Sequence, residues 1–256
     1  MLKEHEMKII LSPAKKMNID TDTLECQGTP VYLKQTQKIL SWMKKQTRSE
    51  LQSLWCCNDK IAEENFRRIR EMNLQNSLTP AILSYEGIAY QYMAPAVFED
   101  SSFDYVQEHL RILSGFYGVL KPMDGVTPYR LEMQAKVEID GFKDLYEFWG
   151  SKLYEEVVDD SRVIINLASK EYSKCIEKHL KPGDTYITVS FVEMSKGKLV
   201  TKGTYAKMAR GEIVRYMAEK QIKDSENIKA FDRLGYSYRE DLSSDTDYVF
   251  ERTKWN

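Results

Sequence analysis

Arg111, Lys121, Tyr129, Arg130 and Glu132 fall within one 23-residue stretch, Arg111 to Met133, together with three glycines and two prolines set between aromatic residues. Guanidinium groups present a planar fork that matches phosphate or carboxylate, and a lysine adds a point charge. Glu132 is the acid/base candidate, a role that requires the surrounding segment to desolvate it. Gly115 and Gly118 admit backbone approaches that other residues resist, while Pro122 and Pro128 forbid a continuous helix. The stretch therefore reads as a rigid, shaped loop of the kind that carries binding or chemistry. The plain alternative is a buried connector.

A second group of cations lies on one predicted helix, Tyr205 to Lys220. At 100° per residue Lys207, Arg210, Gly211 and Arg215 share an arc of ~140°, with Ala206, Ala209, Ile213 and Met217 opposite. A glycine inside that arc lowers helix stability by roughly 1 kcal/mol against alanine, so close approach of a ligand or of another backbone is expected there. Solvation of an exposed face would also account for the three cations.

Two apolar runs, Lys8-Ile9-Ile10-Leu11 and Val163-Ile164-Ile165-Asn166-Leu167, lead into Ser12-Pro13-Ala14-Lys15 and Ala168-Ser169. Runs without polar alternation suit strands covered on both faces, and ligands in open α/β sheets gather beyond the carboxyl ends of parallel strands. If the two strands are parallel neighbours, Ser12, Lys15, Asn166 and Ser169 converge, and with Arg130, Lys207 and Arg210 they outline an anion pocket suited to phosphate. Ser169 also reads as an ordinary helix cap.

A fourth feature is a helical pair over residues 49–72, with Cys56-Cys57-Asn58-Asp59-Lys60 as its connector. Such a layout resembles a helix-hairpin-helix, whose connector amides and second helix N-terminus hold phosphate without reading bases. The connector lacks glycine; Asn58 is expected to supply the left-handed turn, and Lys60 and Arg67 the charge. An ordinary αα-corner is the other reading.

The elements needed to position these groups are legible in outline. Helices are expected over Val31 to Lys45, Asp59 to Met72, Ser101 to Leu113, Leu145 to Val158 and Glu171 to His179, besides the Tyr205 helix. A hairpin is expected from Tyr186 to Thr201 around Ser195-Lys196-Gly197, and a closing strand pair near Gly235 to Arg239 and Tyr248 to Arg252. The first six residues read as a tail. One α/β domain over residues 1–256, with a mixed sheet and inserted helices including the hairpin-like pair, fits better than two independent domains.

Bulk properties narrow the function. With 256 residues and 42% hydrophobic content the chain can close a sizeable core. No apolar run approaches the ~20 residues of a membrane helix, so a soluble, cytoplasmic protein is expected. The four cysteines and three histidines are scattered, which predicts neither a disulfide framework nor a metal site and speaks against iron binding. No cofactor motif of the GxGxxG or P-loop type is present. The net charge of −2 requires any nucleic-acid role to rest on segregation, and Lys34 to Met72 does hold nine Lys/Arg against five acids.

Ser12-Pro-Ala-Lys15, Asn58-Asp-Lys-Ile-Ala62, Tyr85-Glu-Gly87 with Tyr90, Arg111-Ile-Leu-Ser-Gly-Phe-Tyr-Gly118, Pro128-Tyr-Arg-Leu-Glu-Met133, Phe148-Trp-Gly150, Asn166-Leu-Ala-Ser169 with Glu171-Tyr172, and Lys207-Met-Ala-Arg-Gly211 together resemble the YaaA family of peroxide-stress proteins. The resemblance spans nearly the whole chain. It implies a cytoplasmic bacterial protein that lowers free iron and protects DNA under hydrogen peroxide, with one α/β unit, a helix-hairpin-helix at Cys56 to Lys60 and a cationic cleft binding double-stranded or branched DNA. It supplies no established catalytic residue. DNA binding through phosphates is thus the first expectation, and an enzyme acting on a nucleotide or nucleic-acid base in the same cleft is the second, with a nucleotide-like small molecule as its ligand.

Overall fold

The two apolar runs form the centre of a sheet. In the computed structural model, which describes residues 7–253, Lys8–Leu11 and Val163–Asn166 are adjacent parallel strands, paired Lys8 with Ile164 through Ile10 with Asn166. The tail expected at residues 1–6 lies outside the described residues. Lys8 is buried inside this strand, and its ammonium is neutralised by Glu108 at 2.6 Å and Asp159 at 3.2 Å.

The sheet grows outward from this pair. Leu110–Ser114 runs parallel to Lys8–Leu11, and Gly118–Leu120 returns antiparallel to it. On the other side Thr185–Ser195 and Asp247–Arg252 continue the parallel order, with Tyr236–Tyr238 as an antiparallel edge. Lys198–Val200 folds back on Thr185–Ser195 through the expected turn. The result is an α/β architecture around an eight-stranded mixed sheet that takes strands from residue 8 to residue 252.

Three expected elements differ from the observed ones. The helix expected over Ser101 to Leu113 is Asp100–His109. Leu110–Ser114, read as the start of a shaped loop, is instead a fully buried strand, because pairing with Lys8–Leu11 outweighs local helical spacing. The helix expected over Leu145 to Val158 breaks into Leu145–Trp149 and Lys152–Val157 at Gly150, whose φ of +53° belongs to the left-handed region.

The Gly203–Glu219 helix packs on Ile88–Met93, Asp100–His109 and the Thr185–Ser195 strand. Its contact with Ile88–Met93 is a backbone contact. A Cβ at Gly211 would lie 1.8 Å from the Ala89 carbonyl oxygen, so glycine serves the approach of another backbone and not of a ligand. No helix among the described residues is long and apolar enough to cross a membrane.

Candidate functional site

The carboxyl ends of Lys8–Leu11 and Val163–Asn166 open on one pocket, as the parallel order requires. The Ser12 hydroxyl accepts from the Ser169 amide at 2.8 Å and donates to the Ser169 hydroxyl at 3.2 Å, which ties the two strand ends together. Ser169 stands at the N-cap position of the Lys170–Glu177 helix, yet its hydroxyl makes no bond to that helix. The pocket, about 440 Å3, is also lined by Lys15, Tyr90, Arg130, Glu132, Glu171, Tyr172, Lys207 and Arg210. Residues from five separate parts of the chain therefore meet there.

Glu132 is nearly buried and lies between two cations, 3.1 Å from the Lys15 Nζ and 3.4 Å from an Arg130 Nη. Arg130 also reaches the Trp55 carbonyl at 3.5 Å, which links the pocket to the end of the Arg48–Trp55 helix. Lys15 and Glu132 line a second, larger cavity of about 720 Å3 as well, whose other walls include Trp42, Ser53, Trp55, Cys56 and Gln134. The pocket and the helical pair thus share one ion pair as a common wall.

Arg210 differs from Arg130 in having no counter-charge. Its Nε is buried without a hydrogen-bond partner, no carboxylate among the described residues pairs with it, and burial pulls its pKa down from the usual guanidinium value. Lys207, one turn earlier, is exposed at the mouth. A half-buried guanidinium without a carboxylate partner has the charge and the donor fork to receive an anion.

Other expected site residues lie elsewhere. Arg111 is buried at the opposite, entering end of its strand; it donates to the carbonyls of Leu110 at 2.8 Å and Gln107 at 3.2 Å, amid Glu108, Glu156, Asp124 and Asp159. It takes no part in the pocket. Asn166 is also buried away from it, accepting from the Ala168 amide at 2.9 Å and so shaping the turn before Ser169. Arg215 pairs with Glu219 at 2.7 Å outside the pocket. Lys121 lies beside Asp124 in a separate depression.

Tyr129 lines the pocket, but its hydroxyl is spent inward, at 2.6 Å from Ser114 Oγ and 2.8 Å from Tyr85 Oη. Burial raises its pKa to about 12. It serves as a wall and not as a free hydroxyl. In the helical pair Cys56, not Asn58, adopts the left-handed turn, with φ 46° and ψ 55°. Asn58 is extended and caps Asp59–Glu71 by accepting from the Ile61 amide at 3.0 Å. Asp59 is held by Arg48 at 3.1 Å, and Lys60 and Arg67 are exposed on the second helix, lining neither cavity.

Glu171 is the pocket residue that sequence reasoning missed as a site. Burial, and secondly the neighbouring Glu132, push its carboxyl above the usual glutamate value, although it accepts from the Gln134 amide at 3.2 Å. Its position in the first helical turn after Ser169 reads as dipole compensation, which hid it. Tyr90, part of the resemblance but not expected at the site, supports the Ser12 loop by donating to the Ser12 carbonyl at 3.1 Å. Among the described residues no three His, Cys, Asp or Glu gather as metal ligands.

Comparison with known proteins gives this arrangement a family. A family model described as peroxide stress protein YaaA matches residues 7–242. A UPF0246 protein of Agathobacter rectalis is 68% identical over 246 residues, covering 96% of this chain and 99% of its own. UPF0246 proteins of Pediococcus pentosaceus and Lachnoclostridium phytofermentans are each 54% identical, covering 95% and 98% of this chain and 97% and 98% of their own. With a match of that extent and relatives that align over almost their full length, this chain belongs to the YaaA (UPF0246) family of peroxide stress proteins.

Proposed function

We infer that the protein binds double-stranded or branched DNA through phosphate contacts, largely without sequence specificity, and in this way limits iron-driven damage during peroxide stress. The observation that carries the reading is the gathering of Lys15, Arg130, Lys207 and Arg210 from three separate segments at the strand ends, with Arg210 lacking a carboxylate partner among the described residues. The exposed Lys60 and Arg67 of the adjoining helical pair extend the cationic surface and offer a helix-hairpin-helix-like second contact. Covering phosphates releases the cations condensed on them. Ferrous ions are among those cations, so occupancy of the backbone moves peroxide chemistry away from the DNA.

The test is anisotropy of a labelled duplex and a labelled four-way junction between 50 and 200 mM salt. Four phosphate contacts predict a loss of affinity of about 100-fold over that range. The double variant Lys207→Ala/Arg210→Ala should lower the slope by about two contacts. Affinity that ignores both salt and the double substitution would sink the reading.

A second reading, an enzyme acting on a nucleotide or base, is favoured by Glu171. A half-buried carboxyl shifted upward beside a second, ion-paired carboxylate is the pattern by which acid and base roles are divided. Its check is mass spectrometry of nucleotides and oligonucleotides incubated with the protein: a product that disappears with Glu171→Gln supports it, and unchanged masses throughout refute it.

A further inference from the structure

We propose that the strand-end pocket is a subsite for a single nucleotide unit bearing a phosphomonoester, supplied as a free mononucleotide or as the phosphorylated end of a DNA strand. This rests on the reading of the pocket as a phosphate site, but it separates a terminal phosphate from the backbone diesters of a duplex.

Charge is the first argument. Five cations line the pocket, Lys15, Lys16, Arg130, Lys207 and Arg210, against three carboxylates, Glu86, Glu132 and Glu171. Lys16 is matched by Glu86 at 2.8 Å, and Glu132 serves both Lys15 and Arg130. The formal surplus is two positive charges. A phosphomonoester carries about −1.5 to −2 at neutral pH, whereas a backbone diester carries one negative charge. A single terminal group balances the pocket, whereas a single diester leaves one positive charge unmatched.

Access is the second. Arg210 is half buried, with its Nε enclosed, next to Gly211, where the Gly203–Glu219 helix meets Ala89. A chain end, with a sugar on one side only, follows it inward more readily than a backbone phosphate flanked by sugars on both sides. A carboxylate ligand would use the same fork but would leave one surplus charge unmatched.

Size and lining are the third. A volume of about 440 Å3 lies within the range of small-molecule sites and far exceeds what inorganic phosphate fills. The remaining walls are apolar and aromatic, with Leu11, Tyr90, Leu167 and Tyr172 among them, which suits a sugar and a base. Glu132 and Glu171 supply acceptors for ring N–H or exocyclic amino groups.

The experiment is calorimetric titration of the full chain with deoxyadenosine and deoxycytidine 5′-monophosphates, the corresponding deoxynucleosides and inorganic phosphate, alongside anisotropy of one duplex carrying either 5′-phosphate or 5′-hydroxyl ends. A monophosphate should bind saturably and at least about 10-fold more tightly than its nucleoside and than phosphate alone, and Arg210→Met should weaken it about 10- to 100-fold. Arg210→Lys should recover part of the loss, and circular dichroism of both variants guards against a folding defect. If strand ends are the source, 5′-phosphorylation strengthens duplex binding by a similar factor; if free nucleotides are, the two duplexes bind alike while the monophosphate binds. No saturable monophosphate binding together with no preference for 5′-phosphate overturns the proposal, as does phosphate alone binding equally well. In either case retained, salt-sensitive duplex binding leaves the DNA reading standing, and loss of duplex binding with monophosphate binding intact does the reverse.

Discussion

Replacing Gly211 by alanine tests how the pocket is held together. The added Cβ would sit 1.8 Å from the Ala89 carbonyl oxygen, 2.7 Å from the Ala89 carbonyl carbon and 2.9 Å from the Met93 amide nitrogen. These are backbone atoms of the Ile88–Met93 helix, so no side-chain rotation relieves the clash. To restore ordinary contact the two helices must separate by about 1.5 Å, a displacement that forfeits much of their mutual van der Waals attraction. Overpacking of this kind is destabilising by about 1–3 kcal/mol, and the better helix propensity of alanine returns about 1 kcal/mol. A backbone clash belongs at the upper end of that range, so a net destabilisation of about 2 kcal/mol is expected. The same separation moves Ile88 and Ala89, which line the pocket, away from Arg210 on the facing helix. Urea denaturation should show a lower midpoint with an unchanged slope, and anisotropy on a labelled duplex should show weaker binding under conditions where the variant is fully folded. A Gly211→Ala protein as stable as the parent, or more so, would refute the close-approach argument, since propensity alone predicts a gain.

Arg111→Met removes the buried guanidinium from its two carbonyls and from the acids around it, so stability should fall by about 2 kcal/mol while duplex affinity stays unchanged; a selective loss of affinity would place Arg111 in the cleft after all. For Glu171, the folded-state pKa stands above the unperturbed 4.5, so the linked stabilisation is complete below that pH and is lost as pH rises through the raised value. Glu171→Gln should therefore flatten the stability profile above pH 4.5, as read by urea midpoints at stepped pH, and an unchanged profile would show that Glu171 does not titrate there. Alkylation with iodoacetamide at pH 8 should label exposed Cys56 well before Cys175, whose thiol is buried and pushed up to about 12; peptide mapping that finds Cys175 first would contradict the burial.

What the sequence disclosed and what it concealed divide along one physical line. Lys8–Leu11 and Val163–Asn166 were legible as buried parallel strands because an unbroken apolar run has few other uses, and their adjacency placed Ser12 beside Ser169. Leu110–Ser114 was concealed because Val106, Leu110 and Leu113 continue a helical spacing, and an arginine inside a run suggests a surface. The choice between helix and strand there is made by the Lys8–Leu11 strand, about a hundred residues away. The same partner explains Arg111: it belongs to a strand end that faces away from the pocket, a matter of chain direction that local composition does not encode. Gly211 shows the intermediate case, since its cost in a helix signals a close approach but not whether ligand or backbone makes it. Glu171 shows the reverse, because a helix-first-turn acid has a sufficient local explanation and its burial beside Glu132 arises only when the strand ends meet. Function follows the same division. The cations are visible one by one, but a surplus of two charges in one pocket is a property of the fold, and the proposed preference for a phosphomonoester over a diester rests on that surplus rather than on any one residue.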